Sequence, residues 1–289
     1  MARPKSEAAE AVDTIISPST TQVLAPARRD VHLILQGKGG CGKSVLASFL
    51  MQYLTDIADS AEVEDGVRTP LCIDTDPINN TFSKYSGQGC EVHHLNITEE
   101  DGITIDARLF DNLIEMVLNE NPPHAAVIDT GSSNFLQLLD YLKKCHIPQE
   151  LANAGYRLVL HIVIAGGSML QETVQGFETI CQNLSQWAPL NVVVWVNPHH
   201  DPVRTEKWAS FKDSATYRDY AAHVRTVIEL PSLSVSLQKK DVADLMRRRH
   251  TFNSAFADER LYTGMCRSRL RHVRDDLYAR MDAAFAVLG

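Results

Sequence analysis

No stretch of this chain is both long and apolar. The longest apolar run, Leu158 to Ala165, is interrupted by His161 and is far too short to cross a bilayer. No hydrophobic segment follows Met1, so no secretory signal is expected. Cysteine is scarce and scattered. Its six positions (Cys41, Cys72, Cys90, Cys145, Cys181, Cys266) include no C-x-x-C pair, which argues against a disulfide framework and fits free thiols in a reducing cytoplasm. The adjacent histidines His93-His94 and His199-His200 lack a third ligand at useful spacing, and neighbours on a strand point to opposite faces, so a metal centre is not expected there. Excess positive charge is also missing. A formal charge of −8 excludes a surface built throughout for nucleic acid, while leaving a local basic patch open.

What remains is an ordinary globular composition, 44% hydrophobic and 22% charged, able to bury a core. We expect residues 1–29, with Pro4, Pro18, Pro26 and few large apolar side chains, to be a disordered or loosely attached extension with at most a short helix over 8–16. Residues 30–289 are expected to form one domain with a helical C-terminal part. Within it, 59–69 is an acidic, turn-rich connection.

The densest chemical signal is VHLILQ followed by GKGGCGKS, residues 31–44. Val31, Leu33, Ile34 and Leu35 suit a buried parallel strand, and Val45, Leu46, Phe49, Leu50, Tyr53 and Leu54 suit the amphipathic helix after it. Between them lies G-x-x-x-x-G-K-S, a phosphate-binding loop. Gly37, Gly39, Gly40 and Gly42 are expected to take φ > 0 and turn backbone N–H groups toward a phosphate, helped by the positive end of the helix beginning near Ser44. Lys43 would neutralise β and γ phosphates, and the Ser44 hydroxyl would hold Mg²⁺. Cys41 within the loop and Val45 in the first helical turn join the same nucleotide-binding set.

Two further strands end in acids. Pro70 to Ile73 runs into Asp74-Thr75-Asp76-Pro77, placing two carboxylates where open α/β sheets hold their ligands. Ala125-Ala126-Val127-Ile128-Asp129 has the Walker B pattern, with Asp129 on a Mg²⁺-bound water and Thr130 to Asn134 as a second switch. A weak edge strand is expected around Val92, Leu95 and Ile97. A helix is expected over 106–119, stopped by Asn121-Pro122-Pro123, and another over 169–187. Strands are expected over 157–165, 191–196 and 224–230. Alternation of this kind, with short connections, gives a mainly parallel, twisted sheet with helices on both faces. From Asp241 the chain reads as helical and basic. We expect Leu261, Met265, Leu270, Val273 and Leu277 to pack inward and the arginines to form a solvated face diluted by acids, with contact to DNA or an anionic membrane as the alternative.

The loop GKGGCGKS, with Lys38 directly after the first glycine, resembles the deviant Walker A loop of the ParA/MinD group of P-loop NTPases. That resemblance implies that Lys38 crosses a dimer interface to contact the phosphates on a partner subunit, and so an ATP-dependent homodimer. It also implies that Asp76 positions the attacking water, that Asp74 belongs to the Mg²⁺ water shell, and that Asn197 and Pro231 lie against the base. PLCIDTDPINNTF, VIDTGSSNF, VVWVNP and RLRHVRDDL, taken with the loop, resemble nucleotide-binding proteins of plasmid conjugative transfer, which implies an ATP- and Mg²⁺-dependent ATPase working with transfer or partition proteins. Two other classes use the same parts: a metabolic ligase or kinase acting on a small substrate, including reductase-type relatives with an iron–sulfur cluster, and a non-hydrolysing recruitment module.

Overall fold

In the computed structural model, residues 29–60, 69–102, 104–119, 123–199, 201–231 and 236–288 are described. The expected N-terminal extension apart from Arg29, which begins β1, most of the 59–69 connection, whose first two residues instead end α1, Asn121-Pro122 and His200 lie outside them. The chain begins with β1 (Arg29–Ile34), α1 (Lys43–Ser60), β2 (Leu71–Asp74), β3 (Val92–His94), α2 (Leu109–Val117) and β4 (Ala125–Asp129). It continues through α3 (Phe135–Lys144), α4 (Ile147–Asn153), β5 (Tyr156–Ala165), α5 (Leu170–Leu184), β6 (Val192–Asn197), α6 (Ala215–Tyr220) and β7 (Val224–Glu229). It closes with α7 (Ser236–Arg248), α8 (Phe252–Ala257) and α9 (Gly264–Phe285).

The seven strands form one sheet in the order β3-β2-β4-β1-β5-β6-β7, and every pairing is parallel. Side chains alternate across it as the strand period requires. Val31, Leu33 and Leu35 face a core built with α2, α3, α4 and α5, whereas Ile34 faces one built with α1, α7, α8 and α9. The α/β class with helices on both faces is therefore the observed one. Helices α3 and α4 were not anticipated, although Phe135, Leu138, Leu139 and Leu142 recur at helical spacing over α3 and bury one face of it.

The C-terminal helices only partly follow expectation. Leu270, Val273 and Leu277 are buried, but Leu261 and Met265 are exposed, since they sit at the turn into α9 and its first residues, beyond the edge of the core. Arg247, Arg267, Arg269, Arg274 and Arg280 each pair with an acid of the same chain, in keeping with a solvated, charge-balanced face.

Behind β1, β5 and β6 runs a buried polar row. The Trp195 indole N–H donates to His161 Nδ1 (2.9 Å), and His161 Nε2 lies 2.9 Å from His32 Nδ1. Trp can only donate, so His161, kept neutral by burial, carries its proton on Nε2 and donates to His32. Burial lowers His32 to about 4 and His161 well below the usual imidazole value.

Candidate nucleotide site at the strand ends

Parallel pairing lines up the C-terminal ends of the strands, and the site is built along that row. Asp74 on β2 is in register with Asp129 on β4, which is in register with Ile34 on β1; Ala165 on β5 is in register with Asn197 on β6. The glycine-rich loop leaves the middle of this row and feeds directly into α1 at Lys43. It lies at the switch point where connections turn to opposite sides of the sheet, the place where open α/β sheets bind ligands.

The glycines serve two different needs. Gly40 (φ 75°) and Gly42 (φ 109°) take the left-handed backbone that glycine tolerates. Gly37 and Gly39 do not, contrary to expectation; their missing side chains instead permit close approach. A Cβ on Gly37 would stand 2.9 Å from the Phe135 ring, and one on Gly39 3.3 Å from Ser132 Oγ. Lys43 is buried, and its ammonium donates to the Lys38 carbonyl within the loop (3.2 Å). The Cys41 thiol, fully buried, bonds the same carbonyl (3.2 Å), and burial pushes it above the usual thiol range.

Residues beyond the glycine-rich loop hold it in place. Gln36 is fully buried; its amide N–H₂ donates to the Val163 carbonyl (2.9 Å) and the Thr173 carbonyl (3.0 Å), while its oxygen accepts from Gly37 N–H (2.9 Å). Asn197 donates to the Cys41 carbonyl (2.9 Å), which braces the loop, and accepts from His199 N–H (3.0 Å) in its own turn. Thr130 donates to the Ile34 carbonyl (2.7 Å), Thr75 to the Asp129 carbonyl (3.1 Å) and Asn134 to the Thr75 carbonyl (3.0 Å), stitching the ends of β1, β4 and β2 together.

The three carboxylates differ sharply in their surroundings. Asp74 accepts from Asp76 N–H (3.0 Å), Ser83 N–H (2.8 Å) and the Ser83 hydroxyl (3.0 Å), which ties the start of the following segment to the strand end. Asp76 accepts from Ile78 N–H (2.9 Å) and Asn79 N–H (3.1 Å), and lies against Gly131, where any Cβ would approach its Oδ1 to 3.1 Å. Asp129 is fully buried, and both of its oxygens lack a hydrogen bond. Burial raises it to about 7; Asp74 and Asp76 push the same way, while Lys43 and the Ser44 hydroxyl beside it favour the ionised form without completing a bond. An orphaned carboxylate beside a loop lysine and a hydroxyl is an expensive arrangement unless a cation completes it.

Lys38 forms an ion pair at the surface. Its ammonium is 2.8 Å from Glu172 on α5, with the two side chains 29% and 57% exposed. Beyond the loop, an apolar cavity of about 310 Å³ opens between Gly42, Val45, Asn197 and Pro231 on one side and Val242, Met246 and Leu277 on the other. The expected site residues Val45, Asn197 and Pro231 thus share one wall, and α7 and α9 supply the opposite one. Sequence reasoning missed Gln36, Glu172 and this helical wall, and gave Thr75 and Asn134, inside the two expected acidic motifs, no bracing role. Glu172 is 134 positions from Lys38, and only the fold brings them together. Among the described residues no three His, Cys, Asp or Glu side chains gather as a metal-ligating group, and no helix is long and apolar enough to cross a membrane.

Two curated Escherichia coli proteins, both called Protein TraL, are 39% and 36% identical over 254 residues, covering 88% of this chain and 98% of each relative. No family model matches the chain. Among solved structures, the MinD cell division protein of Aquifex aeolicus is 14% identical, covers 86% of this chain and 97% of its own, and superposes with a TM-score of 0.46. A protein described as a plasmid partition protein, from Borrelia burgdorferi and bound to AMPPNP, is 12% identical, covers 90% and 99%, and gives a TM-score of 0.45.

Proposed function

The chain belongs to the TraL family, and from that premise we propose that it is a cytoplasmic, Mg²⁺-dependent ATP-binding protein that hydrolyses ATP slowly and dimerises in its ATP state, in the service of plasmid conjugative transfer. The observation that carries the nucleotide part is Asp129: a buried carboxylate with two unpartnered oxygens next to Lys43 and Ser44 of the glycine-rich loop. Those residues suit Mg²⁺, which is commonly bound through one or two protein oxygens, waters and substrate phosphates rather than a full cage of side chains. When bound, the cation supplies charge neutralisation at the β and γ phosphates.

The chain's own residues divide the remaining work. Lys43 and the loop N–H groups hold the phosphates, Ser44 and Asp129 orient the cation with Asp74 in the outer shell, and Asp76 orients the attacking water. The cavity bounded by Asn197, Pro231, Val242 and Leu277 accepts the base by apolar contact. Lys38 reaches the phosphates of a second subunit, for which it must leave Glu172. An exposed pair of this kind is worth at most about 1 kcal/mol, so its loss is no barrier to dimer formation. The role in plasmid transfer, and transfer or partition proteins as partners, rest on family membership and the motif resemblance.

Light scattering after size-exclusion chromatography tests the switch. Wild type should be monomeric with ADP and dimeric with a non-hydrolysable ATP analogue plus Mg²⁺, and Lys38→Ala should stay monomeric in both. A wild-type monomer in every nucleotide state overturns the dimer and leaves the phosphate site to an enzyme acting on a small substrate.

A further inference from the structure

A second cavity, of about 290 Å³, opens on the face of the sheet covered by α1 and α8, away from the glycine-rich loop. Cys90 lines it, next to the short turn Gly87-Gln88-Gly89, and behind Cys90 lies the fully buried Cys72 of β2, with the two sulfurs 3.6 Å apart. Thr55 of α1 lines the same cavity, and its buried hydroxyl has no completed hydrogen bond. None of these groups is used by the nucleotide site.

We propose that Cys72 and Cys90 are a peroxide-sensitive dithiol that closes reversibly to a disulfide. Because Cys90 faces the cavity and Cys72 is sealed behind it, the order of events follows from access. The Cys90 thiolate attacks one oxygen of hydrogen peroxide; an S–O bond forms, the O–O bond breaks, and the departing hydroxide takes a proton to leave as water. Cys72 sulfur then attacks Cys90 sulfur; the S–S bond forms, the S–O bond breaks, and hydroxide leaves with the Cys72 proton as a second water. Two electrons pass from the sulfurs to the peroxide. The sulfurs must close from 3.6 Å to a bond of about 2.05 Å, a movement that rotation of the side chains and the adjoining turn can supply. Around that turn there is open space: beyond the chain neighbours no atom lies within 4 Å of where a Cβ on Gly87 (φ 81°) or Gly89 (φ 99°) would stand, and the Gly87 N–H donates to the Cys90 carbonyl (3.0 Å), so the turn and Cys90 move together.

The position of the bond gives it consequence. Cys72 lies two residues before Asp74, and Asp74 holds Ser83 at the start of the stretch that leads to Cys90. A disulfide closes a covalent ring over the whole segment that carries Asp74, Asp76 and Asn79. An effect on nucleotide turnover rests on the function proposed above; formation of the bond does not, and the two are tested separately.

The reduced full-length protein is treated with hydrogen peroxide, alkylated under denaturing conditions, digested and mapped by mass spectrometry. The expected result is an intramolecular Cys72–Cys90 cross-link with loss of two hydrogens, reversed by dithiothreitol, while Cys181 remains alkylatable. In Cys72→Ser, Cys90 should stop at the sulfenic acid and be trapped by dimedone. The proposal is overturned if Cys72 and Cys90 both remain fully alkylatable when the exposed Cys145 is already oxidised, or if Cys90 is recovered bonded to any other cysteine.

Discussion

Replacing Asp129 by Asn should stabilise the nucleotide-free protein at alkaline pH while weakening its proposed ligand site. Asp129 is held at about 7 in the folded chain against 3.8 for the ordinary side chain. The folded state therefore binds its proton more tightly than the unfolded state, so the stability associated with this group is complete below pH 3.8 and is lost as pH rises through about 7. At about 1.36 kcal/mol per pH unit, the ionised Asp129 lowers stability by about 4 kcal/mol at about pH 8, and by less than about 2 kcal/mol at about pH 5. Asn does not ionise. Its amide leaves unsatisfied polar atoms in the same buried place, but that penalty is the same at both pH values and cancels in the comparison.

The expected outcome is a difference between variant and wild type that grows in favour of Asn by about 2.5 kcal/mol from about pH 5 to about pH 8. Urea unfolding followed by circular dichroism, in EDTA and without nucleotide, measures it. The wild-type profile alone would mislead, because His32 titrates in the opposite sense over the same range. A pH-independent difference between the two proteins would refute the reasoning, since Asp129 would then be as well solvated, or as well partnered, folded as unfolded. With Mg²⁺ and ATP the order should reverse, the wild type gaining stability by ligand binding that the variant lacks.

Three other outcomes follow from the geometry. Gly176→Ala drives a Cβ into Gln36 Oε1 and must displace the amide that braces the loop; despite a helix-propensity gain of about 1 kcal/mol, it should lower stability by about 2 kcal/mol or more in urea unfolding, and Gln36→Ala should then have little further effect in that background. His32, lowered to about 4 from 6.5, contributes stability that is present above about 6.5 and lost as pH falls through about 4, about 3 kcal/mol in all. His32→Phe should flatten that acid loss in a pH series of unfolding midpoints, and an unchanged slope would remove the assignment. Asp76→Ala should leave ATP binding within a few fold and slow phosphate release at saturating ATP; normal turnover would dismiss its role in orienting water.

Local signals in the sequence were enough to locate much of this protein. A glycine-rich loop followed by Lys43-Ser44 needs nothing distant to be recognised, because its backbone requirement is met residue by residue, and apolar runs such as Ala125 to Ile128 announce buried parallel strands by composition alone. Hence the sheet, its helices on both faces and the acids at the ends of β2 and β4 were readable in advance. The same local logic misassigned φ > 0 to Gly37 and Gly39, since a glycine needed for close approach to Phe135 or Ser132 looks identical in sequence to one needed for a left-handed turn. It also turned Leu261 and Met265 inward, because helical periodicity says which residues share a face but not where the neighbouring core ends.

Tertiary structure alone decided the environment of each group. Strand register put Asp74 beside Asp129, packing left Asp129 without a partner, and burial then raised it toward neutrality. Long-range folding brought Glu172 to Lys38, Asn197 to the loop carbonyl, α7 and α9 to the far wall of the cavity, and Cys90 to Cys72. Residue types and spacing determine which chemistry a chain is equipped for. Desolvation and contacts between distant segments determine how each group is tuned, because both depend on what the rest of the chain places around it.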